Sequence, residues 1–511
     1  MNGAESLVRT LLAGGVDTVF ANPGTSEMHF VAALDRFPAL RCVPALDEGV
    51  VTGAADGYAR MAGKPAATLL HCGPGLMNGL ANLHNARRAR TPVVNLVGDQ
   101  ATHHRPLDAP LTADTEALAR TVSAWVRTSS AVHAVGADAA AAIAAARAAP
   151  GGIASLILPS DVCWNEGGVV GTPRAPAAPA PVADETVRAI AALIERGEPT
   201  LLLVGGEALD AHGLHTASRL EEIDNVRVMA PMSNRRVARG REAADIARVP
   251  YAVDAALKAM AGVKHLVLVE AAPPVTFFAY PGKPGTQLPP GTEVHVLAQP
   301  DEDGGGALRA LAERLGAPLL QRVPPTAPPP ARGAITPETL AQSLAALLPE
   351  QAVVVDEGVT VGRAMFSMLA AAAPHDWLQL CGGAIGEGIP MATGAALGAP
   401  GRRIVGLQAD GSALYTLQGL WTQARMGLDV TTVIFANRRY AILQGELAAV
   451  GAQPGPATNA MFELQRPDLD WVKLAGGFGV EAERADTMAQ FNDLFTRSMA
   501  RKGPFLIEAV L

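Results

Sequence analysis

Twelve short, mainly apolar runs recur along this 511-residue chain, with helix-like patterning between them. No other feature of the sequence restricts its fold as much. In the first third the runs fall at residues 17–21, 41–46, 66–71 and 92–98. In the middle they fall at 201–204, 226–230, 265–269 and 294–298, and in the last third at 352–355, 404–407, 430–435 and 505–511. Runs this short and this apolar read as strands buried on both faces. Between them apolar residues return at helical spacing, and ahead of the first run Leu7, Val8, Leu11 and Leu12 share one helical face. Buried strands alternating with helices give parallel sheets with right-handed crossovers. The expected fold class is α/β, with three doubly wound parallel-sheet domains. In such folds ligands bind outside the carboxyl ends of the strands.

Two Pro/Ala-rich stretches, residues 172–184 and 323–333, read as linkers, because proline fixes φ and removes an amide donor. The expected division is therefore 1–171, a linker at 172–184, a central unit at 185–322, a linker at 323–333, and 334–511. Each of the three larger pieces is domain-sized.

Composition narrows the class of function. Hydrophobic residues make up 49%, which excludes disorder as a property of the whole chain. Aromatic residues are scarce at 4% and the net charge is −8, both unfavourable for a nucleic-acid binder. Cys42, Cys72, Cys163 and Cys381 are far apart in sequence and form no zinc pattern. The first residues show no secretory signal, and no apolar run reaches membrane-span length, so a cytoplasmic protein is expected.

The sharpest chemical motif lies in the last third. One apolar run ends in Gln408-Ala409-Asp410-Gly411-Ser412, and the next ends in Ala436-Asn437-Arg438-Arg439-Tyr440. Asp410 and Asn437 are 27 positions apart, room for one helix and a neighbouring strand. Both would emerge on one edge of a sheet as hard oxygen ligands suited to Mg²⁺ or Ca²⁺. Gly411 allows close backbone approach to an anion, with a helix N-terminus following. A DG turn and an asparagine cap account for the same letters.

The whole pattern resembles the thiamine diphosphate (ThDP) enzymes, whose GDG…N signature it follows. The resemblance runs nearly end to end and in order. It takes in Asn22-Pro23-Gly24-Thr25, Asp47-Glu48-Gly49, Ala54-Ala55-Asp56-Gly57-Tyr58-Ala59, His71-Cys72-Gly73-Pro74-Gly75 and Gly382-Gly383-Ala384-Ile385-Gly386. It is nearest to acetolactate synthase large subunit-like proteins, with benzoylformate decarboxylase a near relative. Ala409 and Ala436 replace the family's usual first Gly and first Asn. The family's metal ligands are retained as Asp410 and Asn437, with the Arg439 carbonyl at the place of the backbone ligand. The resemblance also implies that Gly383, Gly411, Ser412 and Tyr440 lie along the cofactor.

Glu48 opens a helix after an apolar run, where an acid is favoured by the helix dipole alone. The resemblance implies more: this glutamate hydrogen-bonds the pyrimidine ring of the cofactor and reaches it from the partner subunit. A homodimer with interfacial sites follows, and a dimer of dimers is common. Ile385 would prop the cofactor in its bent shape, although core packing explains a bulky aliphatic equally well. Thr25 falls where benzoylformate decarboxylase has its substrate-binding serine, but a helix-capping hydroxyl also fits. His71 falls where that decarboxylase has a catalytic histidine, whereas acetolactate synthases usually carry glutamine.

Other positions pull the opposite way. Residues 277–281, FFAYP, align with a region where the decarboxylase supplies a second histidine, and none is present. His103 and His104 read as a surface pair. Arg438, Gln444 and Glu446 lie where a lid could close. Gly205-Gly206 is a two-glycine turn, weak evidence for a dinucleotide, and residues 73–79 are one residue off GxGxxG. A Gly-Met-His-Gly type segment is not visible near residues 248–253, so FAD is not expected. The expected cofactors are ThDP and Mg²⁺, acting on a small 2-oxo acid. The expected activity is a decarboxylating carboligase that turns pyruvate into acetolactate. The alternatives are a non-ligating 2-oxo acid decarboxylase and a 2-hydroxyacyl lyase.

Overall fold

The computed structural model describes residues 1–320 and 323–511. Residues 321–322, where the central unit was expected to end, lie outside the described residues. Three mainly parallel sheets follow one another along the chain, with helices packed against them. The α/β architecture read from the alternating runs is present.

The first sheet has six parallel strands. Their order is Arg41–Pro44, Thr18–Ala21, Ala66–Leu70, Val93–Asp99, Ile153–Pro159 and Trp125–Thr128. Ala66–Leu70, Val93–Asp99 and Ile153–Pro159 are buried at every position, as strands covered by helices on both faces must be. The second sheet has five strands: Ala247–Arg248, Val226–Ala230, Thr200–Val204, His265–Val269 and Glu293–Ala298. The third has seven. Six of them run in the order Glu481–Ala485, Phe505–Val510, Val430–Ala436, Ile404–Ala409, Ala352–Glu357 and His375–Gln379.

The seventh strand comes from elsewhere. Val237–Arg239, from the middle of the chain, pairs antiparallel with His375–Gln379, setting Val237 opposite Trp377. The apolar-run pattern did not anticipate this strand, nor His375–Gln379 and Glu481–Ala485, whose charged residues break any continuous run.

The helices Glu48–Ala62 and Gly388–Gly398 cross at near-contact distance. A Cβ on Gly394 would lie 1.8 Å from the Ala54 carbonyl oxygen, so only glycine permits the crossing. Arg60 locks it. The Arg60 guanidinium is fully buried and donates to both oxygens of Asp56, at 2.8 and 2.6 Å. It also donates to the carbonyls of Gln379 at 2.7 Å and Arg235 at 3.2 Å, and pairs with Glu387 at 3.5 Å. One side chain thus touches all three parts of the chain.

Strand order reverses between Thr18–Ala21 and Ala66–Leu70 in the first sheet, and between Ala352–Glu357 and Ile404–Ala409 in the third. These switch points open crevices at the strands' carboxyl ends. Asn22 and His71 follow the first pair of strands, and Asp410 follows one of the second pair.

Candidate active site

Asp410 and Asn437 end adjacent strands, where Ala409 pairs with Phe435. The Asp410 carboxylate is buried and accepts the backbone N–H of Gly411 at 2.9 Å and of Arg438 at 2.6 Å. Burial pushes its pKa up to about 6, with those N–H groups pulling the other way. The Asn437 carboxamide oxygen accepts the Arg439 N–H at 3.0 Å, and the Arg439 carbonyl accepts the Ala441 N–H at 3.0 Å. Arg438 holds a positive φ of 57°, a costly conformation for a non-glycine residue, which tends to persist at functional sites. This donor set of carboxylate, carboxamide and carbonyl oxygens fits a hard divalent cation. Gly411 is required by Tyr440, since a Cβ there would lie 2.3 Å from the Tyr440 ring. The Ser412 hydroxyl donates to the Ala409 carbonyl at 3.1 Å, which closes the turn.

Opposite this turn runs the 383–388 loop. Glu357, which the sequence reading passed over, holds it in place. Its buried carboxylate accepts the N–H groups of Gly386 at 2.6 Å, Glu387 at 3.2 Å and Gly388 at 2.7 Å, and the Gln408 amide at 2.8 Å. Gly383 and Ile385 border a cavity of about 1110 Å³, together with Tyr415 and Tyr440. Phe277 and Phe278 add aromatic lining to it, the Phe277 ring lying where a Cβ on Gly383 would come within 2.6 Å. Glu446, from the expected lid, also lines it and accepts hydrogen bonds from Tyr251 at 2.8 Å and Tyr280 at 2.7 Å.

At the crevice of the first sheet, Asp47 caps the helix that begins with Glu48, accepting from Gly49 N–H at 2.7 Å. The Glu48 carboxylate is buried and accepts from the Asn22 amide at 3.1 Å and the Asn78 amide at 3.0 Å. Beside it stands His71. A Cβ on Gly75 would be 3.3 Å from the His71 Cβ and 3.4 Å from Glu48 Oε1, so Gly75 keeps the space between them open.

The partner of His71 is Glu27, which the sequence reading also missed. His71 Nδ1 lies 3.0 Å from Glu27 Oε2. Ser26 Oγ lies 3.1 Å from the same nitrogen and donates to Glu27. The Cys72 thiol, 3.2 Å from Ser26 Oγ, is pushed up to about 11 by burial and is therefore protonated at neutral pH. Thr25 is exposed, so the hydroxyl against His71 is that of its neighbour Ser26. His103 and His104 are exposed, as a surface pair would be.

Among the described residues of one chain, these two crevices do not join in the cavity bordered by Ile385. The cavity bordered by Ile385 and Tyr440 is lined by neither Glu48 nor His71 nor Thr25.

A second cavity, about 880 Å³, lies between the first and central parts of the chain and carries Arg87, Arg90, Arg147 and Arg235. At its floor the Gly205-Gly206 turn meets the N-terminus of the helix Gly304–Arg314. The Glu270 carboxylate occupies that junction, accepting the N–H of Glu207 at 2.7 Å and of Gly304 at 3.0 Å. A Cβ on Gly206 or Gly304 would lie 2.0 or 2.3 Å from its oxygens. Burial lifts Glu270 up to about 7.

Comparison with known proteins agrees with this layout. Residues 1–122 match the N-terminal TPP binding domain of thiamine pyrophosphate enzymes, and residues 360–509 match the C-terminal TPP binding domain. A Mycobacterium tuberculosis (strain H37Rv) protein carrying the provisional name acetolactate synthase large subunit IlvX is 50% identical over 524 residues, covering 100% of this chain and 99% of that one. Benzoylformate decarboxylase of Pseudomonas aeruginosa is 30% identical over 522 residues, covering 97% and 96%. A solved structure of Rhodococcus jostii RHA1 thiamine diphosphate-dependent 4-hydroxybenzoylformate decarboxylase shares the fold, with a TM-score of 0.85, 24% identity, and coverage of 99% and 98%. End-to-end identity with two such relatives and matches to both binding domains place this chain in the thiamine pyrophosphate enzyme family.

Proposed function

We propose that this protein decarboxylates a 2-oxo acid at a bound ThDP–Mg²⁺ pair and releases the product after proton transfer by His71. The carrying observation is the His71–Glu27 pair beside Glu48. Asp410, Asn437 and the Arg439 carbonyl would hold Mg²⁺, with Gly411 and Ser412 against the diphosphate. Gly383 and Ile385 would face the thiazolium ring, and Tyr440 would pack along the cofactor. When bound, ThDP supplies the electron sink that lets the carboxylate leave as CO₂.

The chain's own groups supply the rest. Glu48 would hydrogen-bond the pyrimidine ring, its carboxylate oriented by Asn22 and Asn78. Glu27 would fix the His71 proton on Nδ1, leaving Nε2 to exchange a proton with the substrate. Thr25, at the same turn, would receive the substrate carboxylate, while the Ser26 hydroxyl is donated to Glu27. The separation of Glu48 from the Ile385 cavity within one chain supports a homodimer in which each site is completed by the partner, and a dimer of dimers extends it.

Three further expectations have support of the same kind. The aromatic lining of the cavity favours a substrate with an apolar or aromatic side chain. Glu270 holds the N–H groups at which a dinucleotide phosphate would sit in the central part, which supports a site without FAD. The free cysteines suit the cytoplasm, and no helix among the described residues is long and apolar enough to cross a membrane.

The second reading is the carboligase, favoured by the 50% identical relative and its acetolactate synthase name. Proton NMR of the protein with ThDP, Mg²⁺ and either pyruvate or benzoylformate separates the two. Aldehyde as the product supports the decarboxylase, and acetolactate from pyruvate overturns it in favour of the carboligase.

A further inference from the structure

At the opposite end of the central sheet from Glu270, three donor atoms converge. His265 and Glu293 begin adjacent parallel strands and face each other in register, and His295 stands opposite Val267, two positions along. Alternate residues of a strand share a face, so all three side chains fall on one face of a rigid strand pair. His265 Nδ1 lies 3.3 Å from His295 Nε2 and 3.5 Å from Glu293 Oε2. His295 Nε2 lies 3.7 Å from the same Glu293 oxygen.

These three edges have the size of one face of a zinc tetrahedron. With Zn–N and Zn–O bonds of about 2.0–2.2 Å, tetrahedral ligands are about 3.3–3.6 Å apart. An atom equidistant from the three donors and in their plane would be roughly 2.0 Å from each, so an ion slightly out of plane meets all three bond lengths.

The surroundings add a second, independent observation. His265 Nε2 lies 3.0 Å from Glu198 Oε2, and Lys264 holds the other Glu198 oxygen at 2.7 Å. A carboxylate on the far nitrogen keeps the proton there and turns the Nδ1 lone pair toward the triangle, the arrangement that metal-ligating histidines use. The imidazoles suit Zn²⁺ over Mg²⁺. We propose that His265, Glu293 and His295 form a zinc site, closed by a water, that clips the edge strand Glu293–Ala298 to its neighbour. Glu270, at the far end of the sheet, takes no part in it.

The test uses the full chain, treated with chelator and reloaded with ThDP and Mg²⁺ so that the hard-ligand site is filled. Zn²⁺ is titrated by calorimetry, and Co²⁺ by its visible tetrahedral bands. Wild type is expected to take up one equivalent, and His295→Ala and Glu293→Gln none. Both side chains reach solvent, so the variants should keep the wild-type circular dichroism and turnover. Two results overturn the proposal: no uptake by wild type, or uptake that survives both substitutions. Survival there with loss in His71→Ala would assign the ion to the Glu27–His71–Cys72 cluster instead.

Discussion

Glu27 Oε2 lies 3.0 Å from His71 Nδ1, and the carboxylate is nearly sealed from water, its side chain 2% exposed, while the imidazole is 20% exposed. A buried acid behind a partly open histidine is an arrangement for proton transfer, with the acid acting through the ring. His71→Ala should lower kcat for 2-oxo acid decarboxylation by about 10²–10⁴-fold. Glu27→Gln, which keeps the shape but not the charge, should lower kcat by a smaller factor with little change in KM. Steady-state kinetics on both variants check this.

Glu48→Gln should reduce turnover by about 10²-fold or more while leaving ThDP binding measurable by thermal shift. Turnover equal to wild type would remove Glu48 from the activation step.

The contact between Gly411 and Tyr440 can be tested by crowding it. Gly411→Ala places a methyl 2.3 Å from the Tyr440 ring. The expected cost is about 1–3 kcal/mol, read by denaturant unfolding. Adding Tyr440→Ala should recover most of it, because the two residues share one space.

Glu270 should make stability depend on pH. Burial raises its folded pKa to about 7, above the ordinary value of 4.5. The folded protein therefore binds this proton more tightly than the unfolded chain. The associated stability is fully present below the unfolded value and is lost as pH rises toward the folded one. Glu270→Gln removes that slope, so its loss of stability between about pH 5 and about pH 8 should be smaller than wild type's by about 2–3 kcal/mol. Chemical denaturation at the two pH values measures it.

Arg60→Met should destabilise the protein by about 3–5 kcal/mol, because it strands the buried charge of Asp56, while burial and the neighbouring Asp56 push the Glu387 carboxyl well above its ordinary value. Replacing Arg60, Asp56 and Glu387 together with apolar residues should recover part of that loss. Unfolding monitored by circular dichroism distinguishes the single from the triple substitution.

The sequence showed most readily what local pattern controls. Asp410 and Asn437 could be placed on one sheet edge because each closely follows a mainly apolar run, and the strands there are neighbours. Glu48 could be placed at a helix start because it follows an apolar run and precedes Val50, Val51, Ala54 and Ala55 at helical spacing. Glu27 was not legible: it is 44 positions from His71, in a single helical turn with no periodicity. Glu357 and Glu270 ended apolar strands and carried no motif letters, and only the tertiary fold shows which N–H groups they receive. The strand Val237–Arg239 was hidden for a related reason. Three residues cannot display an alternation, and their pairing partner lies more than 130 positions away.

That strand has a practical consequence for anyone who would shuffle this enzyme's parts. A chimera cut at the proline-rich linkers would carry Val237–Arg239 away with the middle segment. It would leave the hydrogen-bonding edge of His375–Gln379 bare, an invitation to aggregation. Transplanting the carboxyl-terminal unit alone therefore calls for a replacement strand, supplied in trans or grafted on.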